Sequence, residues 1–203
     1  MRRIALGGVL CACASTAFAD DSFPETRKGQ LGLSARLEVG VRGIATYNSD
    51  YCGVSDITAK SGNAPVCTGR SPFAIDLEPS YAVARTVELT LAFHIGLERD
   101  FGPSPITSGP RVFRLEPGAR FYFSEAGHSQ LFVQPSLVFD FTNYQKQTGQ
   151  AYGTDFGVRA IEGYMLDLHR SFSAYAFVGE TAEISRWLYA ELEFGIGVQG
   201  RYP

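Results

Sequence analysis

The histidines are the side chains of this sequence best suited to proton transfer near neutral pH. His94 shares its segment with Glu88 and Glu98, and Asp140 stands on a later segment of similar pattern. A histidine beside carboxylates can act as a general base. Far more often such a histidine is one member of a charge network. The sequence shows neither metal-ligand spacing nor a glycine-rich phosphate loop, so we expect no catalytic site, no metal and no cofactor.

Two cysteines offer a second kind of chemistry once an export signal is removed. Residues 1–19 combine two early arginines, a short apolar run and a small-x-small site that ends at Ala19. This is the pattern of a cleaved signal peptide, and lipidation at Cys13 is the alternative. Export leaves Cys52 and Cys67 in an oxidising compartment. We therefore predict a disulfide between them across one long loop.

The charge of the chain restricts its partners. The 203 residues carry a formal net charge of −3, which argues against a broad basic surface and hence against a nucleic-acid partner. Of the 18 basic residues only Lys28, Lys60 and Lys146 are lysines. After residue 19, no apolar run reaches the roughly 20 residues that a membrane-spanning helix needs.

Apolar and polar residues alternate with a period of two along most of eight segments from residue 35 onward, and the seventh segment, about 171–179, is apolar on both faces. The clearest segment is 87–98, where Val87 and Leu89 begin one face and Glu88 and Thr90 begin the other. Long and short connections alternate along the chain, and the long ones are 48–70, 99–110, 143–152 and 180–186. This pattern predicts an all-β fold, an eight-stranded antiparallel up-and-down transmembrane β-barrel. We assign residues 1–19 to a signal peptide, 20–34 to a periplasmic lead-in and 35–203 to the barrel.

The direction of the apolar face distinguishes a membrane barrel from a soluble, lipocalin-like barrel. The polar face has no lysine, mixes arginine with carboxylates and repeats glycine, which is unlike a solvated surface. Inside a narrow eight-stranded barrel, arginine forks can pair with carboxylates from neighbouring strands. The predicted lumen charge network consists of Arg36, Glu38, Arg42, Asp76, Glu78, Glu88, His94, Glu98, Arg114, Glu116, Arg120, Asp140, Arg159, Glu191, Glu193 and Arg201.

Four residues do not fit simple strands. Pro79, Pro117 and Pro135 cannot donate a hydrogen bond to a strand ladder, so we expect a bulge near at least one of them. Glu162 breaks the alternation of its own segment.

With its signal peptide, eight alternating segments and near-terminal Tyr202, the chain resembles the OmpA-like family of small outer-membrane β-barrels. The last segment, 193–202, looks like the sorting signal read by the outer-membrane assembly machinery, although Pro203 follows the aromatic residue and Gly200 stands where an apolar residue is expected. The resemblance implies a monomer in the outer membrane of a Gram-negative bacterium. Its implied partners are outer-membrane lipids, lipopolysaccharide and the assembly machinery, and it identifies no extracellular ligand.

The sequence leaves four functions open. The leading one is a non-enzymatic barrel with a charge-plugged lumen, acting structurally or through its extracellular loops. The alternatives are a narrow channel or OmpW-type passage for small molecules, a lipid A-modifying enzyme, and a soluble periplasmic barrel. For the enzyme, His169-Arg170-Ser171 is similar to the His-x-Ser pair of lipid A deacylases, but a periplasmic turn is the wrong place for that chemistry.

Overall fold

The computed structural model describes residues 27–45, 66–99, 111–124, 129–142, 154–184 and 188–202. These residues form nine strands: β1 (Leu31–Ala45), β2 (Val66–Arg70), β3 (Ala74–Ala84), β4 (Val87–Arg99), β5 (Arg111–Tyr122), β6 (Ser129–Asp140), β7 (Asp155–His169), β8 (Phe172–Ile184) and β9 (Leu188–Tyr202). In this part of the chain no helix has the length and apolar character to cross a membrane.

The strands close into an antiparallel barrel. From β3 to β9 each strand pairs with the next, β9 pairs with β1, and β1 pairs with β3. The short strand β2 pairs with the end of β1, from Val41 to Ala45, where it continues the line of β3. The barrel therefore has eight strand positions, one of which is divided into β2 and β3, and the predicted fold class is confirmed.

Strand β2 corrects the predicted 48–70 loop. Strand β3 pairs with β1 only up to Glu38, and Val66–Arg70 forms five further pairs with β1 beyond that point. Cys67 lies in this strand opposite Ile44, whereas Cys52 lies outside the described residues. The disulfide between the two cysteines stays a prediction.

The barrel also begins earlier than residue 35. Leu31 already pairs with Tyr81 on one side and with Tyr202 on the other, so residues 31–34 belong to β1 and not to the lead-in. Before the strand, Gly29 adopts a φ of 90°, and its amide donates to the carbonyl of Ala82. This turn directs residue 27 back towards the barrel. Residues 1–26 lie outside the described part, and the signal peptide with them.

The apolar face of the strands points outward. Large apolar side chains are exposed around the outer wall, for example Leu33 at 62% and Ile196 at 66%. On the same strands Arg36 is 1% exposed and Glu193 is 1% exposed. A soluble barrel has the opposite arrangement, with its apolar face inside. An apolar outer wall around a charged interior is the arrangement that a lipid bilayer stabilises.

The two ends of the barrel differ in their connections. At one end, called here the turn end, short links join β3 to β4 and β7 to β8. Strand β1 begins at this end, and β9 ends there. The other end, called the loop end, carries the longer connections. Strand β8 runs to Ile184, so most of the predicted 180–186 loop is strand.

The prolines do not produce the expected bulges at their own positions. Around Pro79 the register of β3 and β4 is unchanged from Leu77↔Phe93 to Ser80↔Thr90. A register shift occurs only later, between Ala82 and Ala84, close to the turn. Pairing is sparse between β5 and β6, which carry Pro117 and Pro135. These strands pair at five positions, whereas β6 and β7 pair at twelve.

Candidate functional site

The barrel interior gathers the charged residues that the sequence placed on the polar face. All of the predicted network except Glu98 is buried: Arg36, Glu38, Arg42, Asp76, Glu78, Glu88, His94, Arg114, Glu116, Arg120, Asp140, Arg159, Glu191, Glu193 and Arg201. Strand alternation places them there, since every second side chain of each strand points inward.

Glu98 is the exception. It lies near the loop end of β4, where its side chain is 42% exposed and accepts hydrogen bonds from Arg70 (2.8 Å) and from the amide of Phe73 (3.2 Å). Glu98 is an even number of residues from the inward-pointing His94 and so lies on the same face of β4, but this part of the strand extends beyond the closed interior. Glu98 therefore stabilises the break between β2 and β3.

Arg159 of β7 is the centre of the network. Its two terminal nitrogens lie 2.6 Å from a carboxylate oxygen of Glu38, 2.6 Å from Glu193, 2.7 Å from Glu116 and 3.1 Å from Asp76. These carboxylates come from β1, β9, β5 and β3. One guanidinium thus ties together five of the eight strand positions across the lumen.

Two further arginines extend the network towards the turn end. Arg36 lies 2.6 Å from Asp76 and 3.1 Å from Glu78. Arg120 lies 2.6 Å from the other oxygen of Glu78 and donates to Gln134 at 2.8 Å. Charge-assisted contacts of this length are the stronger class of hydrogen bond, so Glu78 is held from two sides.

His94 lies on the edge of the same cluster. Its Nδ1 is 2.7 Å from Glu38 Oε1 and 2.8 Å from Asp76 Oδ1, and all three side chains are almost fully buried. The carboxylate atoms that approach the ring are not those that bind the arginines, because Arg159 and Arg36 contact Glu38 Oε2 and Asp76 Oδ2. The general-base candidate is therefore enclosed between two carboxylates.

Nearer the loop end the interior becomes acidic. Asp140 and Asp155 are directly opposite each other on β6 and β7, and Glu183 joins them so that one oxygen of each lies within 4.8 Å of the others. Arg114 is the cation of this group, 3.2 Å from Glu183 and 3.3 Å from Glu191. The predicted network does not include Glu183, because the sequence pattern predicts a loop over 180–186.

Nearer the turn end the interior contains aromatic residues as well as charges. Tyr122, Phe132, Ile161, Met165, Tyr175 and Phe177 form a buried apolar cluster. Arg27 lies over the Tyr122 ring at 4.0 Å from its centroid and 2.6 Å from Asp167. Asp167 also binds Arg201 at 3.0 Å, so two arginines close this end around one carboxylate.

The charges of the interior do not balance. Ten buried carboxylates belong to Glu38, Asp76, Glu78, Glu88, Glu116, Asp140, Asp155, Glu183, Glu191 and Glu193. Seven buried arginines face them: Arg27, Arg36, Arg42, Arg114, Arg120, Arg159 and Arg201. Within the described residues the acids thus exceed the arginines by three, with His94 the one buried group left to offset them.

A cavity of about 1390 Å³ lies on one side of the network. Its inward-pointing lining follows one row of paired residues around the barrel, from Gly118 and Ser136 through Arg159 and Thr181 to Glu191. The small side chains on β5, β6 and β8 leave the space that this cavity occupies. Arg159, the centre of the network, is part of this lining.

The His-x-Ser segment lies at the turn end. His169 ends β7, and Ser171 in the following turn donates its backbone amide to His169 Nδ1 at 3.2 Å. With Nδ1 accepting this bond, the neutral ring carries its proton on Nε2, so neither ring nitrogen is open to accept the proton of the Ser171 hydroxyl in this arrangement. This geometry gives no nucleophile–base pair.

Comparison with known structures identifies the fold. Neisserial surface protein A (NspA) has a TM-score of 0.58 at 9% identity and covers 86% of this chain and 100% of that chain. The N-terminal β-barrel domain of Pseudomonas aeruginosa OprF has a TM-score of 0.54 at 14% identity, over 86% and 98%. Ail, the attachment invasion locus protein of Yersinia pestis, has a TM-score of 0.53 at 12% identity, over 86% and 99%.

These neighbours are small outer-membrane barrels, and the chain shares their fold, as the OmpA-like resemblance implied. At such low identity the likeness concerns the fold alone. No family model matches the sequence, and no curated protein matches it either.

Proposed function

We propose that the chain is a non-enzymatic outer-membrane barrel whose lumen is closed by its charge network and whose external contacts are made at the loop end. The turn end would then face the periplasm, since outer-membrane barrels have short periplasmic turns and longer extracellular loops. The observation that carries the proposal is the Arg159 hub, which ties four carboxylates from four strands across the centre of the lumen.

The hub supports closure for a geometric reason. An eight-stranded barrel is just wide enough for its inward side chains to fill it. Here the bridging contacts are 2.6 to 3.1 Å long and leave no ion-sized gap between the guanidinium and its partners. An ion that crossed this level would have to separate buried ion pairs, which costs several kcal/mol.

With the lumen closed and the outer wall in lipid, the loop end would be the part of the barrel that contacts molecules outside the cell. The neighbour Ail is named the attachment invasion locus protein, which supports a role in surface contact for a barrel of this fold. The segments between β1 and β2, β4 and β5, and β6 and β7 would carry the specificity.

The test has two arms, both made with the folded chain. In planar bilayers we expect no stepwise conductance for the wild-type protein and the appearance of conductance for Arg159→Gly, with Arg70→Gln as the control outside the lumen. On cells, replacing residues 50–63 by a short Gly-Ser linker should reduce attachment of the bacteria to cultured host cells. Stable open steps from the wild type would contradict a closed lumen.

A second candidate, a lateral passage for small apolar molecules, is favoured by one observation. The cavity reaches Pro117 and Pro135, which lie where β5 and β6 are sparsely paired. A disulfide between Leu115→Cys and Phe139→Cys, which are paired across these strands, should stop uptake of an apolar dye by vesicles if this passage operates. A disulfide between Leu89→Cys and Ala119→Cys across β4 and β5 is the matched control.

A further inference from the structure

We propose that Glu38, Asp76 and His94 form a binding site for a single divalent transition-metal ion, with Zn²⁺ as the best fit. The three residues come from β1, β3 and β4, which are neighbours in the barrel wall. Their donor atoms, two carboxylate oxygens and one imidazole nitrogen, all lie within 4.8 Å of one another.

The donor atoms have no aligned hydrogen-bond partner. Glu38 Oε1, Asp76 Oδ1 and His94 Nδ1 are all buried and lack a hydrogen bond within the described part of the chain. They nevertheless lie only 2.7 and 2.8 Å apart. A ring N–H points in one direction in the plane of the imidazole, and neither oxygen lies along it. Three buried polar atoms that converge at these distances call for a positive charge among them, supplied either by a second proton on the ring or by a bound cation.

The outer contacts of the ligands are already in place. Arg159 donates to Glu38 Oε2 at 2.6 Å and to Asp76 Oδ2 at 3.1 Å, and Arg36 donates to Asp76 Oδ2 at 2.6 Å. Each carboxylate is thus fixed through one oxygen and presents the other. Metal-binding carboxylates in proteins are held in this way by a second layer of hydrogen bonds.

The donor set selects the ion. Imidazole nitrogen suits Zn²⁺, Cu²⁺, Fe²⁺ and Ni²⁺, whereas Mg²⁺ and Ca²⁺ prefer sites made of oxygen alone. Zn²⁺ binds histidine nitrogen and carboxylate oxygen at about 2.0 to 2.2 Å in tetrahedral geometry, which places ligand atoms about 3.3 Å apart. The contacts of 2.7 and 2.8 Å must therefore open by roughly half an ångström, a small movement for side chains that already converge.

The charge of the interior favours a cation. Ten buried carboxylates face seven buried arginines, and unpaired buried charge is costly. A divalent ion offsets most of this excess. It also links β1, β3 and β4, so the bound metal should stabilise the barrel wall as a structural site does.

The alternative occupant of this position is a proton. A doubly protonated His94 between Glu38 and Asp76 would be an ion pair that needs no metal. The two interpretations differ in one measurable property, since only the metal site binds Zn²⁺ with a stoichiometry of about one per chain and through His94 Nδ1.

The experiment uses the folded, untagged chain in detergent after treatment with a chelator. We expect isothermal titration with ZnCl₂ to show about one site per chain, and His94→Gln to weaken it by about 100-fold or more, since even outer-layer substitutions cost 10- to 100-fold. His169→Gln and Glu183→Gln should bind as the wild type does, because they lie at the turn end and in the acidic cluster of the loop end. Heat-modifiable gel mobility checks that each variant is folded.

A measurement on the wild type removes dependence on variant folding. In protein labelled with ¹⁵N-histidine, Zn²⁺ should shift the Nδ1 resonance of His94. The same resonance should be present and should shift in His169→Gln, which shows that it does not belong to His169. Absence of Zn²⁺ binding by the wild type would leave the protonated ion pair and overturn the proposal. Loss of binding in Glu183→Gln with retention in His94→Gln would overturn it as well.

Discussion

Replacing Arg159 by methionine removes the cation that four carboxylates share. Methionine keeps most of the length of the side chain, so the change tests charge more than volume. Asp76 retains Arg36 at 2.6 Å. Glu116 and Glu193, however, are left with their nearest remaining arginines at 4.0 and 3.8 Å, in place of contacts of 2.7 and 2.6 Å.

The expected loss follows from these distances. Removing one partner of a buried ion pair costs about 3 to 5 kcal/mol. Because Asp76 keeps a close cation and the other acids keep a distant one, we expect the lower end, about 3 kcal/mol. That loss corresponds to a roughly 150-fold change in the folding equilibrium.

The assay is reversible urea unfolding in lipid vesicles, followed by heat-modifiable gel mobility and tryptophan fluorescence. Arg70→Gln is the matched control, since it breaks the Arg70–Glu98 pair, which is about 40% exposed, and should cost no more than about 1 kcal/mol. Adding Glu193→Gln to Arg159→Met should recover part of the loss, because one uncompensated charge disappears. Should Arg159→Met not refold at all, Arg159→Lys should show an intermediate loss.

The reasoning is refuted if Arg159→Met lies within about 1 kcal/mol of the wild type. It is also refuted if adding Glu193→Gln makes the loss larger. Either outcome would mean that the carboxylates are not stabilised by the shared guanidinium.

Three further outcomes are expected. Glu162, the central residue of the 15-residue β7, is exposed on the apolar wall. Glu162→Leu should therefore raise the unfolding free energy in vesicles by about 1 to 2 kcal/mol, which is less than the cost of a basic residue at mid-bilayer. Glu162→Asp keeps the charge and should leave the unfolding free energy unchanged. A Cβ at Gly195 would meet the Phe177 ring and would lie 2.6 Å from the Leu37 carbonyl oxygen, whereas a Cβ at Gly200 would lie 4.0 Å from the Leu33 carbonyl oxygen. Gly195→Ala should therefore cost about 1 to 3 kcal/mol in the same assay, and Gly200→Ala little. With Zn²⁺ present, the urea midpoint of the wild type should rise and that of His94→Gln should stay constant, with no rise in the wild type counting against the metal site.

The alternation of the strands predicts which side chains point inward, but it does not predict where the closed interior ends. Glu98 has the same parity as His94 along β4, yet it lies at the exposed end of the strand. Its height depends on the tilt and stagger of the strands, which follow from pairing all around the barrel. A single strand contains no information about that quantity.

The residues that sequence reasoning missed have a common cause. The segment 171–179 is apolar on both faces, so its pattern does not show that the strand continues to Glu183. In the structure Tyr175 and Phe177 point inward on β8, which runs on to Ile184. Arg27 precedes the first alternating segment, and only the turn at Gly29 brings it to Asp167. In both cases the missing information is a contact across the lumen and not a local pattern.

The interior has two layers that differ in what they contribute. Towards the turn end, the rings of Phe132, Tyr175 and Phe177 fill the lumen. Gly163 and Gly195, which are paired with Phe132 and Phe177 on the neighbouring strands, provide room for two of these rings. Aromatic side chains are stable both inside a barrel and against lipid, so this layer does not determine which face of each strand points inward. The arginine–carboxylate layer does decide it. A one-residue shift of register would turn its charges into the lipid, where each costs several kcal/mol. We infer that the aromatic layer supplies packing energy and the charged layer fixes register, so weakening the hub should produce misregistered barrels before it produces unfolded ones.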